Sequence, residues 1–113
     1  MRVMLAAAAF GLFFAATPAA ARPARCVIQT AGESTWRGAC NFRPDGGGSF
    51  YIDPAHGTFQ SGIGDISVSL ISPGVAEVRG NTADGINSRW GEARRSRRDP
   101  ACWVGEDFSV CVY

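Results

Sequence analysis

The sequence predicts an all-β fold: a small antiparallel meander, closed as a barrel or layered as a sandwich, stapled by two disulfides and preceded by a signal-peptide helix. Three observations predict it. Beyond residue 21 no apolar residues recur at helical spacing for as long as three turns, whereas short alternating runs punctuated by glycine and proline continue to the end. All four cysteines, Cys26, Cys40, Cys102 and Cys111, follow the same point, and an even number in an exported chain reads as a disulfide framework. Residues 1–21 have the parts of an export signal: Arg2, an apolar run over residues 3–16, then small residues ending at Ala21.

Cleavage after Ala21 leaves residues 22–113, one domain with a modest core that gains much from covalent staples. The leader's apolar run is about 14 residues, short of the roughly 20 that span a bilayer, and no second run follows. The mature chain is therefore expected to have no membrane span. Arg25 precedes Cys26, which does not fit a lipid-attachment motif. Every basic residue is arginine, and once Arg2 is removed ten arginines face ten acids. That balance gives no general attraction to nucleic acid or other polyanions. The absence of lysine, with abundant alanine, glycine and arginine, points to a GC-rich bacterial genome and so to the periplasm or the medium.

The elements follow in order. Residues 25–31 and 35–42 form a first hairpin around Gly32, Glu33 and Ser34; a turn centred on Glu33 sets Cys26 opposite Cys40 and Thr30 opposite Trp36. Residues 44–48 are a glycine-rich connection. Residues 49–53 are a strand with Phe50 and Ile52 on one face and Tyr51 on the other, and residues 54–57 a turn. Ile66, Val68 and Leu70 alternate with Ser67 and Ser69, and Ser72, Pro73 and Gly74 turn that strand back into residues 75–79. A polar loop over residues 80–85 precedes a strand over residues 86–96 that Gly91 interrupts. In the last hairpin a turn at Glu106 and Asp107 sets Cys102 against Cys111 as a non-hydrogen-bonded pair, the site type whose short Cα separation suits a cross-strand disulfide. Gly105 offers an alternative turn, slipped by two residues. Of three connectivities, Cys26 with Cys40 and Cys102 with Cys111 is preferred because each closes its hairpin locally, at about 3 kcal/mol each on the chain-entropy model.

Chemistry-bearing constellations are few. With all four thiols paired there is no catalytic cysteine. His56 stands alone after Asp53, and no serine lies in a Gly-X-Ser-X-Gly elbow. One histidine and paired cysteines make a poor zinc site, and neither a metal nor a cofactor is implied. Asp65, Glu77, Asp84, Glu92 and Asp99 offer carboxylate pairs for a small cell-wall hydrolase, but so short a chain of hairpins rarely encloses the necessary cleft. The run from Arg94 to Arg98 is the one dense charge feature, with Arg94 and Arg95 pointing to opposite faces of a strand. Trp36, Trp90 and Trp103 are first of all core material, Trp90 excepted because Gly91 beside it leaves one face open.

Gly38 to Phe42, Gly48 to Ile52, and the ending Ala-Cys-Trp-X-Gly-X-X-Phe-X-Val-Cys over residues 101–111 resemble a group of small exported, uncharacterised α-proteobacterial proteins. The resemblance covers most of residues 38–113 and implies export and a β fold, with no activity attached. In size, compartment and architecture the chain is also similar to periplasmic lysozyme inhibitors, without a residue-by-residue match to their recognition motif. The leading expectation is a non-enzymatic binding module using Arg89, Trp90, Arg94 and Tyr51, its partner an envelope protein or a glycan.

Overall fold

Alternation along each strand sends one side chain in two to a common interior, and the strands close around it. The computed structural model describes residues 21–113; the leader expected over residues 1–21 lies, Ala21 apart, outside them. Eight strands follow in order: β1 (Arg22–Thr30), β2 (Trp36–Pro44), β3 (Phe50–Pro54), β4 (Ile63–Ser72), β5 (Val75–Thr82), β6 (Asn87–Arg95), β7 (Cys102–Val104) and β8 (Phe108–Val112). Each pairs antiparallel with the next, and β8 returns to β1, giving a closed barrel with no free edge. Among the described residues no helix is long and apolar enough to cross a membrane.

The interior is filled. Ile28, Ile52, Ile66, Val68, Val78 and Val110 are wholly buried, with Cys26 and Cys40 among them. No charged or polar residue joins this core among the described residues. The barrel is thus a packed core, and only its two ends are open to a ligand. At one end a 3₁₀ turn, Gln60–Gly62, shares a mouth with the two hairpin tips; there Ala31 N–H of the first tip donates to Asp107 C=O of the second at 2.9 Å. At the other end β1 begins at Arg22 and β8 finishes at Val112.

Both disulfides are present, Cys26–Cys40 and Cys102–Cys111. The last hairpin has the expected register: Cys102 faces Cys111 and Trp103 faces Val110, and Gly105 N–H donates to Phe108 C=O at 2.9 Å around Glu106 and Asp107. The first hairpin differs. Cys26 faces Gly38, Ala24 faces Cys40, and Ile28 rather than Thr30 faces Trp36. The turn centres on Gly32, left-handed at φ 79°, and the disulfide runs diagonally with Cα atoms 5.8 Å apart, against 4.0 Å for the directly opposed pair. A slip of two residues keeps every side chain on its own face, so the apolar pattern cannot choose between these registers. Pro44 and Pro54, expected in connections, instead end β2 and β3.

Candidate functional site

The site is built on a bulge. Between β5 and β6 the register shifts by one: Val78 faces Gly91 and Arg79 faces Arg89, leaving Trp90 as the extra residue. Gly91, at φ 120°, supplies a backbone conformation that a side chain would resist. Trp90 then lies across Gly80, where an added Cβ would stand only 2.9 Å from the indole nitrogen. Its Nε1–H donates to Ser88 Oγ at 3.1 Å, Ser88 O–H donates to Gly80 C=O at 3.2 Å, and its ring meets Phe108 edge-on at 5.6 Å. Trp90 is half-buried, fixed on one side and open on the other.

The pocket beside it holds about 350 Å³ and is lined by Trp90, Phe108, Gln60, Glu33, Arg89 and Asp107 among others. Gln60 donates from Nε2 to Ile28 C=O at 3.0 Å, which sets the orientation of its amide. Its Oε1 is left buried with no donor, the one such side-chain atom among the described residues. Ser61 is held left-handed, φ 58° and ψ 27°, and its hydroxyl donates to Glu33, whose other carboxylate oxygen accepts from Thr30 O–H at 3.0 Å. That backbone costs about 1–2 kcal/mol in a residue with a side chain, and such strain concentrates at working sites. Arg89 is 69% exposed and shares the Glu77 carboxylate with Arg79, at 3.3 and 2.8 Å. The lining is therefore rich in acceptors: the two carboxylates of Glu33 and Asp107 against a single guanidinium, that of Arg89.

The four residues expected to form a binding surface do not converge. Arg89 and Trp90 line this mouth; Arg94 and Tyr51 do not. Arg94 is 74% exposed on the outer face further along β6, 3.5 Å from Glu92, with Val75 and Val104 as its strand neighbours. Tyr51 lies on the outer face of β3, separated from Arg89 by Ser67 and Arg79 in one row across the sheet. The physical reason is the bulge together with alternation: Trp90 turns toward the barrel end while Arg89, Arg94 and Tyr51 keep outward positions on different parts of the wall.

The carboxylates singled out in the sequence are scattered as well. Asp65 accepts from Asn81 at 2.7 Å, Glu77 and Glu92 pair with arginines, and Asp99 accepts from the Tyr113 hydroxyl at 2.5 Å. Asp53, placed near His56 in the chain, is occupied by Asn41 at 2.8 Å and by Arg43 at 2.5 Å, which raises the Arg43 pKa. His56 is exposed in the turn after β3. Glu33 and Asp107, by contrast, share the mouth, because closure of β8 on β1 sets Thr30 opposite Phe108 and so joins the two hairpin tips. Each was visible only as a turn residue.

No protein-family model, curated protein or solved structure matches the chain. The two disulfides suit an oxidising compartment outside the cytoplasm.

Proposed function

We propose that this protein is an exported, non-enzymatic binding module, working in the periplasm or the medium of a bacterium, that takes a neutral sugar unit of an envelope glycan at the Trp90 mouth. The observation that carries this reading is the open face of Trp90, set edge-on to Phe108 in one mouth with Glu33 and Asp107. Glu33 and Asp107 supply acceptors for sugar hydroxyls, Arg89 adds donors at the rim, and Trp90 with Phe108 offers apolar surface for the C–H face of a sugar ring. The final hairpin motif supports placing the chain with the exported α-proteobacterial group it resembles.

Glycan arrays followed by calorimetric titration of the best binder test this. Trp90→Ala, which removes the apolar platform, is expected to weaken binding at least tenfold, and Arg89→Ala less. Affinity unchanged in Trp90→Ala would move the site elsewhere. Steady release of fragments from peptidoglycan by the wild type would replace the binding reading with the hydrolase one.

A further inference from the structure

The opposite end of the barrel carries a different site. On β1 the inward row runs Ala24, Cys26, Ile28, and Arg22 continues it outward by one more step; on β6, past the bulge, Gly91 and Ala93 face inward and Arg95 continues that row. Two arginines thus occupy positions that elsewhere in the barrel hold core side chains. Each guanidinium lies over an aromatic ring, Arg22 at 4.6 Å from the Phe42 centroid and Arg95 at 5.9 Å from that of Trp103. Between them is a hollow of about 300 Å³, its other surfaces supplied chiefly by Phe50, Val112 and Pro100.

No carboxylate lines this hollow, and among the described residues neither Arg22 nor Arg95 has an ion-pair partner. Asp99, one residue before Pro100, is engaged by Tyr113 O–H at 2.5 Å and by Ala101 N–H at 3.1 Å. Arg95 commits Nε–H to Pro100 C=O at 2.7 Å, which orients the guanidinium and leaves its terminal nitrogens available. Two like charges at the rim of an apolar hollow repel each other until an anion sits between them.

We propose that the Arg22 mouth binds a small apolar carboxylate, its head between the two guanidiniums and its body against Phe50, Val112 and Trp103. Planar guanidinium forks match a carboxylate, and the aromatic and aliphatic lining matches an uncharged body. The volume is at the small end of ligand sites, about 300–1,000 Å³, so the body is short, about eight carbons.

Octanoate is the probe, titrated into the full oxidised chain while NMR reads the indole N–H signals of Trp36, Trp90 and Trp103. A saturable shift at Trp103 with Trp90 unmoved is expected. 1-Octanol, which keeps the tail without the charge, is expected to bind at least tenfold more weakly, and acetate, which keeps the charge without the tail, not to saturate. The double variant Arg22→Gln, Arg95→Gln is expected to lose at least tenfold in octanoate affinity. Equal affinity for octanoate and 1-octanol, a shift at Trp90 in place of Trp103, or an unaltered double variant overturns the proposal. Should the double variant unfold, salt decides on the wild type: raising ionic strength from about 0.05 to 0.5 M must weaken octanoate and spare 1-octanol, and salt-independent octanoate binding overturns the assignment.

Discussion

At the Trp90 end of the barrel aromatic rings lie on glycines: Trp36 on Gly38, Trp90 on Gly80, and Phe108 on Gly105. At the Arg22 end guanidiniums lie on aromatic rings, Arg22 on Phe42 and Arg95 on Trp103. The first arrangement rests on close steric contact, so it is insensitive to salt, and at Gly80 and Gly105 a single methyl group would have to displace the ring. The second is electrostatic and half in water, so it tolerates substitution and responds to ionic strength. One barrel with a common core therefore presents two mouths of opposite character, one rich in acceptors and one rich in cations.

The largest effect is expected from removing what the two ends share. Cys26→Ser with Cys40→Ser deletes the crosslink buried in the core, and a loss of about 3 kcal/mol is expected in urea denaturation. The Trp90 and Trp103 signals should then collapse together. Separate transitions would mean that the ends are independent folding units.

Next in size, Gly105→Ala sets a Cβ against the Phe108 ring and Gly80→Ala sets one against Trp90. Each is expected to cost about 1–3 kcal/mol by overpacking, with chemical-shift changes confined to the Trp90 end and with no salt dependence. A neutral result for both variants would show that the rings are loose and that this end is not sterically fixed.

Smaller still, Arg22→Gln should change stability by less than about 1 kcal/mol, since an exposed guanidinium over a ring contributes about 0.5–1 kcal/mol. What does change should vanish in high salt. A larger, salt-independent loss would make Arg22 a packing residue.

The smallest effect is an alkaline one. The Tyr113 hydroxyl donates to Asp99, and that bond, with partial desolvation and the nearby carboxylate charge, raises the phenol above its ordinary value of 10.0. A group whose pKa is raised on folding contributes stability that is complete below the unfolded value and is lost as pH climbs through the folded one. Spectrophotometric titration should therefore find Tyr113 ionising late, and Asp99→Asn should bring it earlier. If Asp99→Asn leaves the curve in place, Asp99 is not held by Tyr113, and its withdrawal from the Arg22 mouth needs another cause.

Much of this was legible where the determinants are local. Alternation in residues 66–70, the turn residues, and four cysteines in two close pairs are short-range signals, and the fold class, both disulfides and the register of the last hairpin follow from them. The first hairpin shows the limit, because an apolar pattern of period two is blind to a slip of two. Trp90 and Arg89 drew notice through Gly91, but Gln60, Glu33 and Asp107 did not, since nothing along the chain says that β8 closes on β1 or that two hairpin tips become neighbours.

The arginine run shows the same division within one strand. Alternation alone separates Arg94 from Arg95, one face each; which of them faces inward depends on the bulge at Trp90, which resets the count of in and out along β6. Sequence by itself determined the strands, their staples and the relative facing of neighbours, because these are settled within a few residues by sterics and burial. Only the tertiary structure decided the closure, the absolute facing and hence the two mouths, because these depend on pairings between residues far apart in the chain whose geometry no local pattern encodes.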